Sequence, residues 1–104
     1  MPQFGSPFSE LANSRKLTDK ELVRAIRFMV AAEYEATQMY VQLAESTNNK
    51  LAAAVLKDIA DEEIVHAGEF LKLLYELAPE EKALYAKGAG EVEVIMKSQH
   101  KKTK

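Results

Sequence analysis

Glu33, Glu63 and His66 have the types and the spacing to hold a metal ion. The run Asp61-Glu62-Glu63-Ile64-Val65-His66 sets a Glu-x-x-His step inside a strongly helical stretch. A carboxylate and an imidazole three residues apart point to the same side of a helix and can grip one ion. Upstream, Glu33 interrupts the apolar stripe of a second long helical stretch. Glutamate is rarely fully buried unless paired or ligating, and a bare buried carboxylate costs several kcal/mol. Hard carboxylate oxygens with imidazole suit iron first, with manganese or zinc as substitutes.

Other readings of these residues compete. A lone histidine on an apolar face is ordinarily a satisfied core residue, and Glu63 beside it argues otherwise. Glu62, four residues before His66, also reaches its face. Carboxylate-bridged bundles use the three-residue step, which favours Glu63 and leaves Glu62 as the weaker candidate. For Glu33 the alternative is a buried ion pair with Arg24 or Arg27, but no basic residue lies near it on either stripe. Tyr40 follows Glu33 by two turns on one face, where plain packing competes with hydrogen bonding to a ligand. Glu35 lies off the stripe, as a solvated acid or a guide for incoming ions.

Two long helices must position these groups. Thr18-Asp19-Lys20-Glu21 is a capping box, with Thr18 as N-cap, and the helix it opens runs to about Glu45. Its stripe reads Leu22, Ile26, Met29, Glu33, Ala36, Tyr40 and Leu43. Ser46-Thr47-Asn48-Asn49 is a turn. A second helix runs from about Lys50 to Leu77, with the stripe Ala52, Val55, Ile59, Glu62 or Glu63, His66, Phe70, Leu73 and Leu77, and Pro79 marks its end. So short a turn makes the pair an antiparallel hairpin. A short third helix is expected from Pro79, broken at Gly88-Ala89-Gly90, with another short helix over 91–98. Residues 1–17 read as a flexible N-terminal arm, 18–98 as the helical domain, and 99–104 as a disordered basic tail. The fold class is all-α.

Composition narrows the function. With 104 residues, 47% hydrophobic and 29% charged, the chain suits one globular domain. A net charge of −2 offers no electrostatic case for nucleic acid or anionic membrane as partners. No apolar run approaches the roughly 20 residues of a membrane span, and no signal peptide is visible, so a cytoplasmic protein is expected. The chain has no cysteine, which excludes thiolate zinc sites, iron–sulfur clusters and a rubredoxin-type iron centre within it.

Counting ligands sets the architecture. A di-iron bundle takes a glutamate from each of two helices and a Glu-x-x-His step from each of two others. One copy of this hairpin holds half of that set. Two copies about a two-fold axis supply four glutamates and two histidines, for two iron ions per dimer. A hairpin of this length also cannot cover its own apolar faces, so a homodimer forming a ferritin-like four-helix bundle is the expected solution.

The run Ala32-Glu33-Tyr34-Glu35-Ala36 with Tyr40, followed by Asp61-Glu62-Glu63, His66 and Ala67, resembles the encapsulated ferritins. These are half-length ferritin-like proteins related to the di-iron domain of rubrerythrins. The resemblance covers about residues 18–80. It implies iron ligation by Glu33, Glu63 and His66 across a dimer interface, Tyr40 hydrogen-bonding behind them, and Glu35 near the ion entrance. It also implies rings of such dimers inside an encapsulin nanocompartment. Three departures stand out. Ala32 replaces an outer glutamate of the family, Met39 stands where some relatives have tryptophan, and the segment 98–104 is unlike the family's apolar shell-docking peptide.

The leading expectation is a ferroxidase that oxidises Fe(II) with dioxygen and serves iron storage. A rubrerythrin-like peroxide reductase is the second reading, and it needs an external electron donor. The third is a non-enzymatic helical oligomerisation module whose buried polar groups only set register.

Overall fold

In the computed structural model, which describes residues 15–102, the capping box is fully formed. The Thr18 hydroxyl accepts from the Glu21 amide at 3.1 Å, and the Thr18 amide donates to the Glu21 carboxylate at 2.9 Å. Arg15 clamps the same carboxylate with two bonds of 2.8 and 2.7 Å. The Arg15 hydrogen bond first, and the Thr18 amide second, hold the Glu21 carboxyl down at about 2. Helix α1 then runs Asp19–Glu45. Residues 1–14 of the expected arm lie outside the described residues.

The turn closes on its own polar side chains. Ser46 donates to the Gln42 carbonyl at 2.6 Å, and Asn49 caps α2 by accepting from the Ala52 amide at 2.9 Å. Helix α2 spans Lys50–Leu77, as the sequence predicts, and lies antiparallel on α1. At about 1.5 Å per residue, each helix is roughly 40 Å long.

Helix α3 departs from expectation. It is one continuous helix, Pro79–Lys102, with no break at Gly88-Ala89-Gly90, and residues 99–102 of the expected tail belong to it. Glycine costs a helix about 1 kcal/mol against alanine but removes no hydrogen bond, and neither glycine here adopts a positive φ. Ala83, Leu84, Ala86 and Ala89 around them are strong helix formers, so the penalty is absorbed.

The seam between α1 and α2 is narrower than the predicted stripes. Its buried residues are Ile26 and Val30 on α1 and Ala60, Ala67 and Leu74 on α2. Ala53, Ala60, Ala67 and Leu74 recur every seventh residue, and the small side chains let the helices approach. The α2 stripe read from the sequence lies to one side of this seam. Val55 is 49% and Leu73 42% exposed, and Leu43 on α1 is 55% exposed. Periodicity found the apolar sector, but its centre belongs to a face that the hairpin leaves open.

At its root, α3 packs on the opposite side of the hairpin. Ala78 is buried against Ile26 and Leu74, and Tyr85 lies against Tyr75 with ring centroids 5.9 Å apart. Glu81 accepts from Arg27 (Nε to Oε1, 3.0 Å) and from the Tyr85 hydroxyl. Arg27 first, then Tyr85, holds the Glu81 carboxyl below the usual carboxylate range. No helix among the described residues is long and apolar enough to cross a membrane.

Two outcomes test this packing. Ala60→Leu should cost about 1–3 kcal/mol by overfilling the seam, while Ala54→Leu on the exposed side stays within about 0.5 kcal/mol in urea melts. The Arg27–Glu81 pair should help to seat α3. Because the folded Glu81 carboxyl is depressed, that contribution is complete above its unfolded value, near 4.3, and vanishes as pH falls through the folded value. Glu81→Gln should therefore lower hydrogen-exchange protection at residues 85–87 about fivefold at neutral pH, with the difference closing in acid.

Candidate metal centre

Midway along the seam, polar groups replace the apolar ones. Glu33 on α1 and Glu63 on α2 are part-buried at its edge, with 18% and 20% of their side chains exposed. His66, one turn beyond Glu63, is half-exposed and faces the open side of the hairpin. Its Nδ1 lies 3.9 Å from Glu33 Oε2 and 3.8 Å from Glu63 Oε2. One ligand atom from each of the three falls within 4.8 Å of the others.

Glu33 carries the decisive detail. Its Oε2 is buried and has no hydrogen-bond partner among the described residues. The nearby Thr37 hydroxyl does not serve it, because it donates to the Glu33 backbone carbonyl at 2.8 Å. Arg27, the cation that sequence reasoning offered Glu33, is engaged one turn and more away by Glu81. A bare carboxylate oxygen is therefore turned towards an imidazole nitrogen and a second carboxylate.

These residues fit a metal ion. Bonds of about 2.0–2.2 Å place two ligand atoms of one ion at most about 4.4 Å apart, so the trio needs only a small closure to share one. The donor set suits iron, manganese or zinc. Glu62 and Glu35 are both exposed and stand outside the trio. Tyr40 is half-buried two turns along α1 and makes no hydrogen bond to another described residue. Glu69, which sequence reasoning did not single out, lines the same shallow concavity with Glu33, His66 and Phe70. Its signal was available, since it continues the Glu63-to-His66 step by three more residues.

Comparison with known proteins places this geometry in a lineage. The family model for rubrerythrin matches residues 21–104. The chain belongs to the rubrerythrin family. Within it the chain stands with the encapsulated ferritins, as the motif resemblance implies. It is 43% identical over 91 residues to the encapsulin nanocompartment cargo protein EncC of Myxococcus xanthus, covering 88% of this chain and 68% of that one. It is 38% identical over 64 residues to a ferritin-like–encapsulin shell fusion protein of Pyrococcus furiosus, covering 62% of this chain but only 19% of the fusion. The crystal structure of the encapsulated ferritin domain from Pyrococcus furiosus matches with a TM-score of 0.76 and 32% identity. That match covers 82% of this chain and 87% of the other.

If the orphaned oxygen is a metal site kept at the expense of fold stability, Glu33→Gln should not destabilise the metal-free protein. In EDTA its melting free energy should stay within about 0.5 kcal/mol of wild type or rise, because a desolvated charge is removed. Added Co(II) should raise the melting temperature of the wild type and not of the variant. A marked loss of stability in EDTA would instead reveal a protein partner for Glu33.

Proposed function

We propose that the protein is a ferroxidase whose metal centre is completed by a second copy of the chain. Support comes first from the unsatisfied Glu33 carboxylate facing His66 and Glu63 on an open apolar face. One chain presents two carboxylates and one imidazole. Two chains about a two-fold axis present four and two, which is the ligand set of carboxylate-bridged di-iron bundles. The exposed Val55 and Leu73 on α2 and Leu43 on α1 flank the trio and provide apolar surface for such a pairing.

In this reading Fe(II) is the substrate, and two ions bind per dimer. Each gives up one electron, so that one dioxygen takes up two electrons and two protons from solvent and leaves as hydrogen peroxide, and the ferric product is the form destined for storage. Carboxylates favour this direction because their charge offsets the additional positive charge of Fe(III). Glu33 and Glu63, held on two different helices, would hold the two ions close together. His66 completes each coordination sphere while its half-exposed setting leaves access for the oxidant. Tyr40 orients a ligand carboxylate once the second copy closes over it. Glu35 and Glu62 lie outside as acids that draw in cations. Manganese and zinc fit the same donors.

Both the cargo relative and the shell-fusion relative support an encapsulin shell as the compartment. Storage then becomes a division of labour, with oxidation on this chain and mineral held by the shell. The family match also keeps a peroxide reductase in view. That activity would depend on an external donor, since this chain has no cysteine for a rubredoxin-type centre.

Purified protein given Fe(II) in air should develop ferric absorbance well above buffer, and bind about one iron per chain. Glu33→Ala and His66→Ala should each lower the rate by about tenfold or more, towards the buffer background. Unchanged rates in both variants would remove the assignment. Peroxide consumption that requires an added rubredoxin, with no oxidation in air, would favour the reductase.

A further inference from the structure

The two ring nitrogens of His66 face different surroundings. Nδ1 is turned into the trio, 3.9 Å from Glu33 Oε2 and 3.8 Å from Glu63 Oε2. An ion shared with those carboxylates is therefore reached through Nδ1. A ligating imidazole is neutral, so its one proton must then sit on Nε2, at the far side of the ring. The second N–H of a metal-bound histidine is almost always given to a carboxylate, a carbonyl or water. That bond holds the ring in place and raises its basicity. Nε2 of His66 needs such an acceptor, and neither carboxylate at Nδ1 is placed to serve it.

Helix direction selects the acceptor. Side chains of an α-helix lean towards its N-terminal end, over the residues three and four before them. His66 leans back in this way onto Glu63, which brings Nδ1 to that carboxylate. Glu69 stands three residues further on and leans back onto His66 by the same rule. It lines one concavity with His66, Glu33 and Phe70. Glu62 leans the other way, towards Asp58, and takes no part in that concavity. The side chains of Val65 and Phe70 offer no acceptor, and Gly68 has no side chain. Glu69 is also uncommitted. It is exposed and has no hydrogen-bond or ion-pair partner among the described residues, and Lys72, three residues on, is held by Glu76.

We propose that Glu69 is the positioning residue of the metal centre, accepting from Nε2–H of His66 and so locking the imidazole with Nδ1 towards the ion. The proposal rests on the metal reading above, whose ligands Glu69 serves, and it gives Glu69 no bond to the ion. Equal spacing then divides three roles along one helix face. Glu63 and His66 hold the ion, and Glu69 holds His66 from behind. The gain is one of population as well as charge. The half-exposed ring is otherwise free to turn, and every orientation that takes Nδ1 out of the trio lowers the apparent affinity by its share of the ensemble. The carboxylate behind the ring also makes Nδ1 a stronger donor to a cation.

The test compares Glu69→Ala, Glu69→Gln and Glu62→Ala in the full chain. Co(II) titration gives affinity, and nitrogen-15 NMR of histidine-labelled, Zn(II)-loaded protein gives the state of each ring nitrogen. The chain has two histidines, so a His100→Gln background leaves the His66 signals alone. With Glu69 intact, the protein should bind Co(II), ligate Zn(II) through Nδ1 and keep a slowly exchanging proton on Nε2. Glu69→Ala should weaken Co(II) binding by about 10–100-fold and lose the slow exchange. Its melt in EDTA should be unchanged, because Glu69 is exposed. Glu69→Gln retains an acceptor, so it should keep the Nε2 proton signal and lose less affinity. Glu62→Ala should bind Co(II) as wild type does. Equal Co(II) affinity in wild type and Glu69→Ala would overturn the proposal and leave the metal centre standing. So would a loss of affinity in Glu62→Ala instead, or Zn(II) ligated through Nε2. A wild type that binds no Co(II) at all would overturn the metal reading and this proposal with it.

Discussion

Two helices packed side by side have one seam, and each can bury only a stripe of its circumference in it. In this protein the seam takes Ile26 and Val30 from α1 and the row Ala60, Ala67 and Leu74 from α2. Small residues at every second turn of α2 bring the helices close, but they bury little apolar area. The larger hydrophobic side chains are left on the flanks. A chain built this way cannot complete its core alone. Its exposed leucines, valines and isoleucines are the direct consequence of that geometry.

The Glu33–Glu63–His66 trio depends on the same constraint. Glu33 and Glu63 sit where the seam opens onto a flank, close enough to be partly desolvated and exposed enough to be reached. A carboxylate oxygen without a partner is a cost in a single chain. It is tolerable at the edge of a seam that further groups can cover, and it would be prohibitive in the middle of one. The placement of Ala67 beside His66 shows how finely the helix register divides these roles. One residue is 4% exposed in the seam, and its neighbour faces outward with half its side chain free.

Local chemistry made much of this legible. Thr18 and Glu21 announce the start of α1, the Ser46–Asn49 cluster announces the turn, and Pro79 announces the junction before α3. Each signal acts within a few residues, where hydrogen-bond capacity and fixed φ decide the outcome. The α3 glycines were misread because glycine only lowers helix propensity, whereas proline removes a donor and clashes. The choice between Glu62 and Glu63 could not be made from spacing alone, since both lie within one turn of His66. The three-residue step from His66 to Glu69 is a weak signal, as acids on the polar side of a helix are common, and the concavity it lines with Glu33 and His66 gives that step its meaning.

The sequence by itself determined the two long helices, their limits, the hairpin and the family, because caps, turns and the Glu-x-x-His step are encoded within short stretches of chain. Tertiary structure alone decided which sector of each apolar stripe became the seam. That choice depends on how closely the two backbones approach, and the alanines of α2, which carry little weight in a hydrophobicity pattern, control it. It also decided that Glu63 rather than Glu62 joins Glu33 and His66, because the direction of a side chain about a helix acquires meaning only when a second helix is in place. The same packing left two opposed faces of the hairpin and the distal part of α3 exposed.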